Sequence, residues 1–145
     1  MKDEAERGLP LHYRFEAVAE GLGGLRERLR EALGAAGLDG QQVERLVLAV
    51  NEACMNIIQH GYHGRRGETI ELAVEQRAGR LEFRLLDRAA PVLAEAIRPR
   101  RLDELRPGGL GVHFMREIMD EIEYLPRQEG PGNLLRMSIE LKERM

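Results

Sequence analysis

Cysteine occurs once in this chain and tryptophan not at all, and only 4% of its residues are aromatic. A lone Cys54 cannot form an internal disulfide, so the disulfide-stapled secreted scaffolds are excluded and a reducing cytoplasm fits. With so few rings the core must be aliphatic, built from Leu, Val, Ile and Met. Neither sign of charge dominates: 22 basic and 25 acidic residues leave a net charge of −3. That balance offers no electrostatic case for nucleic acid or an anionic membrane, because phosphate binding needs a basic patch or stripe. Long apolar runs are missing as well. The N-terminal MKDEAERGLPLHYRF lacks the apolar centre of a signal peptide, and no stretch approaches the ~18 apolar residues of a membrane span. The expected location is the cytoplasm.

Hydrophobic residues make up 43% of the 145 positions and charged ones 32%. This is the composition of a globular chain that forms a single domain over 1–145 and buries about two-thirds of its unfolded surface. Residues 1–10 are polar and read as a loose tail. Alternation at Leu11, Tyr13, Phe15 and Ala17 predicts a half-buried strand, and Leu22, Leu25, Leu29 and Leu33 predict a helix that Gly37 stops. Asp39 is placed to cap a long helix from about Gln41 to His60. Beyond the loop GYHGRRG, alternation at Ile70, Leu72 and Val74 and again at Leu81, Phe83 and Leu85 predicts an antiparallel hairpin turning at Arg77-Ala78-Gly79. A long connection over 88–109, with a short helix around Leu93 to Ile97, leads to a helix carrying Val112, Met115, Ile118 and Met119. Strands over Glu121–Leu125 and Asn133–Leu141 close the chain. The fold class is α+β, with helices layered on a mixed or antiparallel sheet.

The long central helix buries Val43, Leu46, Val47, Val50, Cys54, Ile57 and Ile58 by spacing, which makes Cys54 a small core hydrophobe rather than a nucleophile. Beside that face Glu52, Asn56 and His60 follow at i, i+4 and i+8 along one stripe. A carboxylate base one turn from a neutral oxygen ligand suits a hard cation such as Mg²⁺. Taken alone, the stripe fits an ordinary solvated helix edge better.

Two further patches invite a ligand. Asp87 ends a predicted strand just before a chain-turning RAAP, where a carboxylate can accept a hydrogen bond from an exocyclic amine such as that of adenine; a turn-capping aspartate is the plainer alternative. Gly108-Gly109-Leu110-Gly111 opens a helix, and free amides at a helix start favour an anion such as phosphate. It is not a Walker A loop, since no Lys-Ser/Thr follows the glycines.

Read together, the ExxxNxxxH helix, the D-x-A-x-P strand end and the GGLG that precedes a helix running into MDEIEY resemble the N, G1 and G2 boxes of the GHKL ATPase superfamily. The phrases NEACMNIIQHGY and GGLGVHFMREIMDEIEY are similar to those of its bacterial anti-sigma factor serine/threonine kinases, and the likeness extends from about Phe15 to Leu141. It implies a two-layer α/β sandwich of the Bergerat (histidine-kinase-like ATPase) type, a mixed, mostly antiparallel sheet covered on one face by helices.

The resemblance also implies roles. Glu52 matches the general base, Asn56 the Mg²⁺ ligand and Asp87 the group that bonds the adenine amine. Gly109 and Gly111, with Leu110 and Val112 around them, match the lid over the phosphates. Ala89 stands where most of the superfamily has glycine, Pro91 replaces a second glycine, and Asn133 follows Gly132 where Gly-Thr is common, leaving Asn133 as a polar contact. His60 matches a frequent position with a structural part. The implied activity is phosphorylation, by ATP and Mg²⁺, of a Ser or Thr on an anti-sigma factor antagonist, with a sigma factor as the competing partner. The alternative is a regulatory module that sequesters a partner without phosphotransfer. A homodimer rests on the resemblance alone, since no heptad announces one.

Overall fold

The computed structural model describes residues 8–89 and 115–141. Five strands form one sheet: β1 (Leu11–Glu16), β2 (Thr69–Arg77), β3 (Arg80–Asp87), β4 (Glu121–Pro126) and β5 (Asn133–Glu140), in the spatial order β1-β2-β3-β5-β4. Every pairing is antiparallel, so the sheet expected to be mostly antiparallel is wholly so among the described residues. Between β1 and β2 lie a 3₁₀ turn, Ala19–Gly21, and the two helices α1 (Leu22–Ala35) and α2 (Gly40–Asn56).

Sequence period dictates which face of the sheet is dry. Ile70, Leu72 and Val74 of β2, Leu81, Phe83 and Leu85 of β3, and Leu135 and Met137 of β5 share one face and are all buried. They join the helical stripes, Leu22, Leu25, Leu29 and Leu33 from α1 and Val43, Leu46, Val47, Val50 and Cys54 from α2, in a single core. Each such large side chain removed from water contributes about 1.5–3 kcal/mol, which is why the helices settle on this face. Cys54 lies wholly inside, and burial pushes its thiol far above the ordinary range, so it stays protonated and inert.

The opposite face carries charge. Arg84 pairs with Glu75 at 3.0 Å, Arg80 with Glu121 at 3.1 Å, and Arg136 with Glu123. Solvated pairs of this kind add little each, at most about 1 kcal/mol, but they keep the face wet. This leaves the helical layer as the side on which a buried site can form.

Local chemistry sets the element ends. Asp39 caps α2, its Oδ1 accepting from the Gln42 amide at 2.8 Å, as its position before the helix predicts. The hairpin turns through Ala78 and Gly79, both at positive φ (49° and 78°), with Arg77 facing Arg80. Two positive φ values in a two-residue loop define a type I′ turn, whose twist matches that of the strands.

One end departs from expectation. The central helix reaches the expected end near His60 but changes pitch on the way: its regular α-helical part stops at Asn56 and a π-helical turn, Ile57–Gly61, follows, with the Tyr62 amide donating to the Ile57 carbonyl at 2.8 Å. The wider turn absorbs one extra residue, which keeps Ile57 and Ile58 in the core and brings the Tyr62 ring in behind them, fully buried. His60 is exposed. The expected helix around Leu93 to Ile97 and Pro91 lie outside the described residues, as do the first seven residues of the expected tail.

Candidate functional site

Asp87 is the last residue of β3, and the strand's period turns its side chain to the helical side of the sheet. There it is 5% exposed, a buried carboxylate, and its Oδ1 accepts two hydrogen bonds: from the Ala89 amide at 2.9 Å and from the Asn133 side-chain amide Nδ2 at 3.0 Å. The three residues singled out at the two strand ends therefore meet. Register explains the meeting, because Asp87 and Asn133 are direct partners across the β3–β5 ladder. Burial raises the Asp87 pKa above the usual aspartate value, and the bonds from Asn133 and Ala89 and the charge of Arg127 pull against that rise. The Asn133 backbone amide also donates to this carboxylate, and of the roughly four acceptor positions of an ionised carboxylate one is left for an amine of a ligand.

Ala89 is equally buried, its methyl packed against Gly61; a Cβ added at Gly61 would lie 3.3 Å from the Ala89 Cβ. The extra methyl that Ala89 carries in place of a glycine is thus accommodated by a glycine across the contact. Gly132, just before Asn133, approaches even more closely. Its φ is +128°, and a Cβ there would meet the Asp87 carbonyl oxygen at 2.0 Å and the Arg88 Cα at 2.9 Å. Only glycine allows the β4–β5 loop to lie so near the end of β3.

The remaining described candidates lie on α2 and the turn that follows it. Glu52 and Asn56 both lie half-buried near its C-terminal end, on the stripe flanking the core face. The Asn56 amide nitrogen is buried. Among the described residues no hydrogen bond or ion pair engages the Glu52 carboxylate, which suits a group that has to accept a proton. His60 is exposed on the π turn. Gly109, Leu110, Gly111 and Val112, the expected lid, lie outside the described residues.

Two residues that the sequence did not single out, Tyr62 and Arg127, build this region together with Gly132. Tyr62 ties the end of the central helix to the strand ends: its hydroxyl donates to the Thr69 carbonyl at 2.8 Å and accepts from the Arg88 amide at 2.7 Å. Burial raises its pKa, keeping the phenol protonated and able to do both. Arg127 donates to the Asp87 carbonyl at 3.4 Å, and Gly132 makes the close approach just described. A large aromatic inside the glycine-rich GYHG was the one available signal, since such a ring is rarely left in solvent.

The fold defines a class: an α+β sandwich with one layer of helices on an antiparallel five-stranded sheet, its buried polar cluster at the end of β3 beside the end of the central helix. The family model described as the histidine kinase-like ATPase domain matches residues 15–139. Among curated relatives, the serine-protein kinase RsbW of Bacillus pumilus (strain SAFR-032) is 32% identical over 123 residues, covering 78% of this chain and 76% of that protein. The serine-protein kinase RsbW of Bacillus subtilis (strain 168) is 28% identical over 133 residues, covering 84% of this chain and 79% of its own. A crystal structure of the RsbU and RsbW domains of Rv1364c from Mycobacterium tuberculosis superposes with a TM-score of 0.61 at 19% identity, over 91% of this chain and 32% of that longer one, a likeness of fold. The chain belongs to the histidine kinase-like ATPase family, and its curated relatives are serine-protein kinases.

Proposed function

We propose that this protein is an anti-sigma factor serine/threonine-protein kinase, which binds ATP·Mg²⁺ and phosphorylates a small antagonist protein. The observation that carries the reading is the buried Asp87 carboxylate, held in place by Ala89 and Asn133. A buried acceptor of this kind selects a base bearing an amine, as adenine does, over one that lacks it. The donor set fits a magnesium nucleotide: Asn56 supplies one hard oxygen, and Mg²⁺ characteristically takes few protein ligands and shares the rest between phosphate and water.

In this reading Asp87 accepts from the adenine amine and Asn56 holds the metal. The backbone amides around Gly109 to Gly111 receive the phosphates. Bound ATP·Mg²⁺ supplies the γ-phosphoryl group and neutralises its charge. Glu52 accepts the proton of the attacking serine or threonine hydroxyl, while the helix that bears it fixes the approach; phosphoryl transfer depends mainly on such positioning and on charge neutralisation. Competition then gives the switch. The unphosphorylated antagonist occupies the kinase and leaves the sigma factor free, and phosphorylation reverses the choice because the two forms differ in affinity. The pathway is cytoplasmic, and the kinase acts as a homodimer.

The test is transfer of label from γ-labelled ATP to a candidate antagonist in the presence of Mg²⁺, by the native protein and by Glu52→Gln. Label on a Ser or Thr that disappears with Glu52→Gln supports the reading. Nucleotide binding without Glu52-dependent phosphorylation overturns it in favour of a sequestering module.

A further inference from the structure

We propose that Tyr62 is a positioning residue for base recognition, acting through the peptide that follows Asp87. Its hydroxyl accepts from the Arg88 amide at 2.7 Å and donates to the Thr69 carbonyl at 2.8 Å. Arg88 is the link between Asp87 and Ala89, whose amide holds the Asp87 carboxylate at 2.9 Å. Fixing the Arg88 amide therefore fixes the bend that lets Ala89 reach back to Oδ1, and with it the direction in which the carboxylate faces. The ring sits at the far end of the π turn that extends the Glu52–Asn56 helix, through the Tyr62 amide bond to Ile57 at 2.8 Å. One buried phenol thus spans the C-terminal end of the metal-bearing helix, the first residue of β2 and the base-bearing end of β3.

The placement is hard to replace. Tyr62 is 0% exposed. Phenylalanine would keep the packing and remove both hydrogen bonds, leaving the Arg88 N–H without its acceptor and free to turn. A carboxylate released from its aim still attracts a nucleotide but discriminates less between bases. That makes the role distinguishable from mere structural support, because losing stability does not by itself change which base is preferred.

The proposal rests on the reading of Asp87 as the adenine-binding group, and the assay separates the two. Dissociation constants for ADP and IDP, which differ in the amine that Asp87 would accept from, are measured for the native protein, Tyr62→Phe, Asp87→Asn and Leu33→Ala. Leu33 is a buried α1 residue outside the site, and its truncation serves as a destabilised control. Native protein should prefer ADP, and Asp87→Asn should lose or invert that preference, since an amide can donate to the hypoxanthine oxygen. Tyr62→Phe should reduce the ADP/IDP preference by about 5-fold, the effect of losing one well-aimed hydrogen bond, while Leu33→Ala leaves it unchanged. A Tyr62→Phe ratio within twofold of native, or an equal reduction in Leu33→Ala, overturns the proposal. If Asp87→Asn keeps the native preference, the base-binding reading fails first. Amide exchange on the unmodified protein gives a second measurement that needs no variant. ADP should slow exchange at Arg88 more than IDP does, and equal protection by the two nucleotides overturns the proposal.

Discussion

Replacing Gly132 by alanine is the sharpest test of how the site is built. The new Cβ would lie 2.0 Å from the Asp87 carbonyl oxygen and 2.9 Å from the Arg88 Cα, both backbone atoms that cannot swing aside, and 2.7 Å from the Arg127 Cδ. The φ of +128° is one that L side chains rarely adopt. Strain of that kind costs roughly 1–3 kcal/mol, and forcing an atom into a packed contact another 1–3 kcal/mol. The expected loss is about 4 kcal/mol, a large part of the ~5–15 kcal/mol by which domains are stable. The only relief is to move the start of β5 away from the end of β3, which stretches the bond from Asn133 to Asp87 and weakens ADP binding as well. Gly130→Ala is the matched control: its φ is +73°, but a Cβ there meets nothing within 4 Å, so it should cost only about 1 kcal/mol and spare the nucleotide. Urea denaturation of both variants, with ADP titration under native conditions, reads the difference. A Gly132→Ala loss below about 1 kcal/mol with unchanged ADP affinity would refute the close approach on which the site depends.

Other variants probe separate links. Ala78→Gly should stabilise the hairpin by about 1 kcal/mol in thermal or urea unfolding, because Ala78 holds φ at 49° in a turn that favours glycine or asparagine. Asp39→Ala should cost about 1 kcal/mol through loss of the α2 cap, read in the same way. Glu52→Gln should lower phosphoryl transfer by about 10²–10⁴-fold with ADP affinity retained, whereas Asn56→Ala should weaken binding in the presence of Mg²⁺ and much less in EDTA. The raised pKa of Asp87 fixes a sign: the folded state holds this proton more tightly than the unfolded chain, so its contribution to stability is full below the ordinary aspartate value and lost as pH rises through the raised one. Nucleotide runs the other way, since the amine needs an ionised acceptor. ADP titrations at falling pH should show affinity declining through that window in native protein and flat in Asp87→Asn.

Most of the architecture is legible in the sequence because it is written at short range. Period 2 in β2 and β3, period 3.6 in α1 and α2, the Asp39 cap and the Arg77-Ala78-Gly79 turn are all decided by neighbours within about one turn of chain, and each is found where its pattern places it. The π turn is not legible in that way. It is selected by where Tyr62 must go, and Tyr62 is fixed by Thr69 and Arg88, the second of them 26 positions away. The Asp87–Asn133 bond joins residues 46 apart, and the need for glycine at 132 arises from atoms of β3 rather than from its own loop. Chemical type at Glu52, Asn56 and Asp87 could be read one residue at a time, but their arrangement could not. The spacing between a helix end and a strand end is set by whatever bridges the two, and in this chain the bridge is a phenol and a glycine contact, Tyr62 to Arg88 and Gly61 to Ala89. Both bridges begin in the same five-residue π turn or just beyond it, so the irregularity that breaks the helical pattern of Glu52, Asn56 and His60 is also what sets α2 against the end of β3.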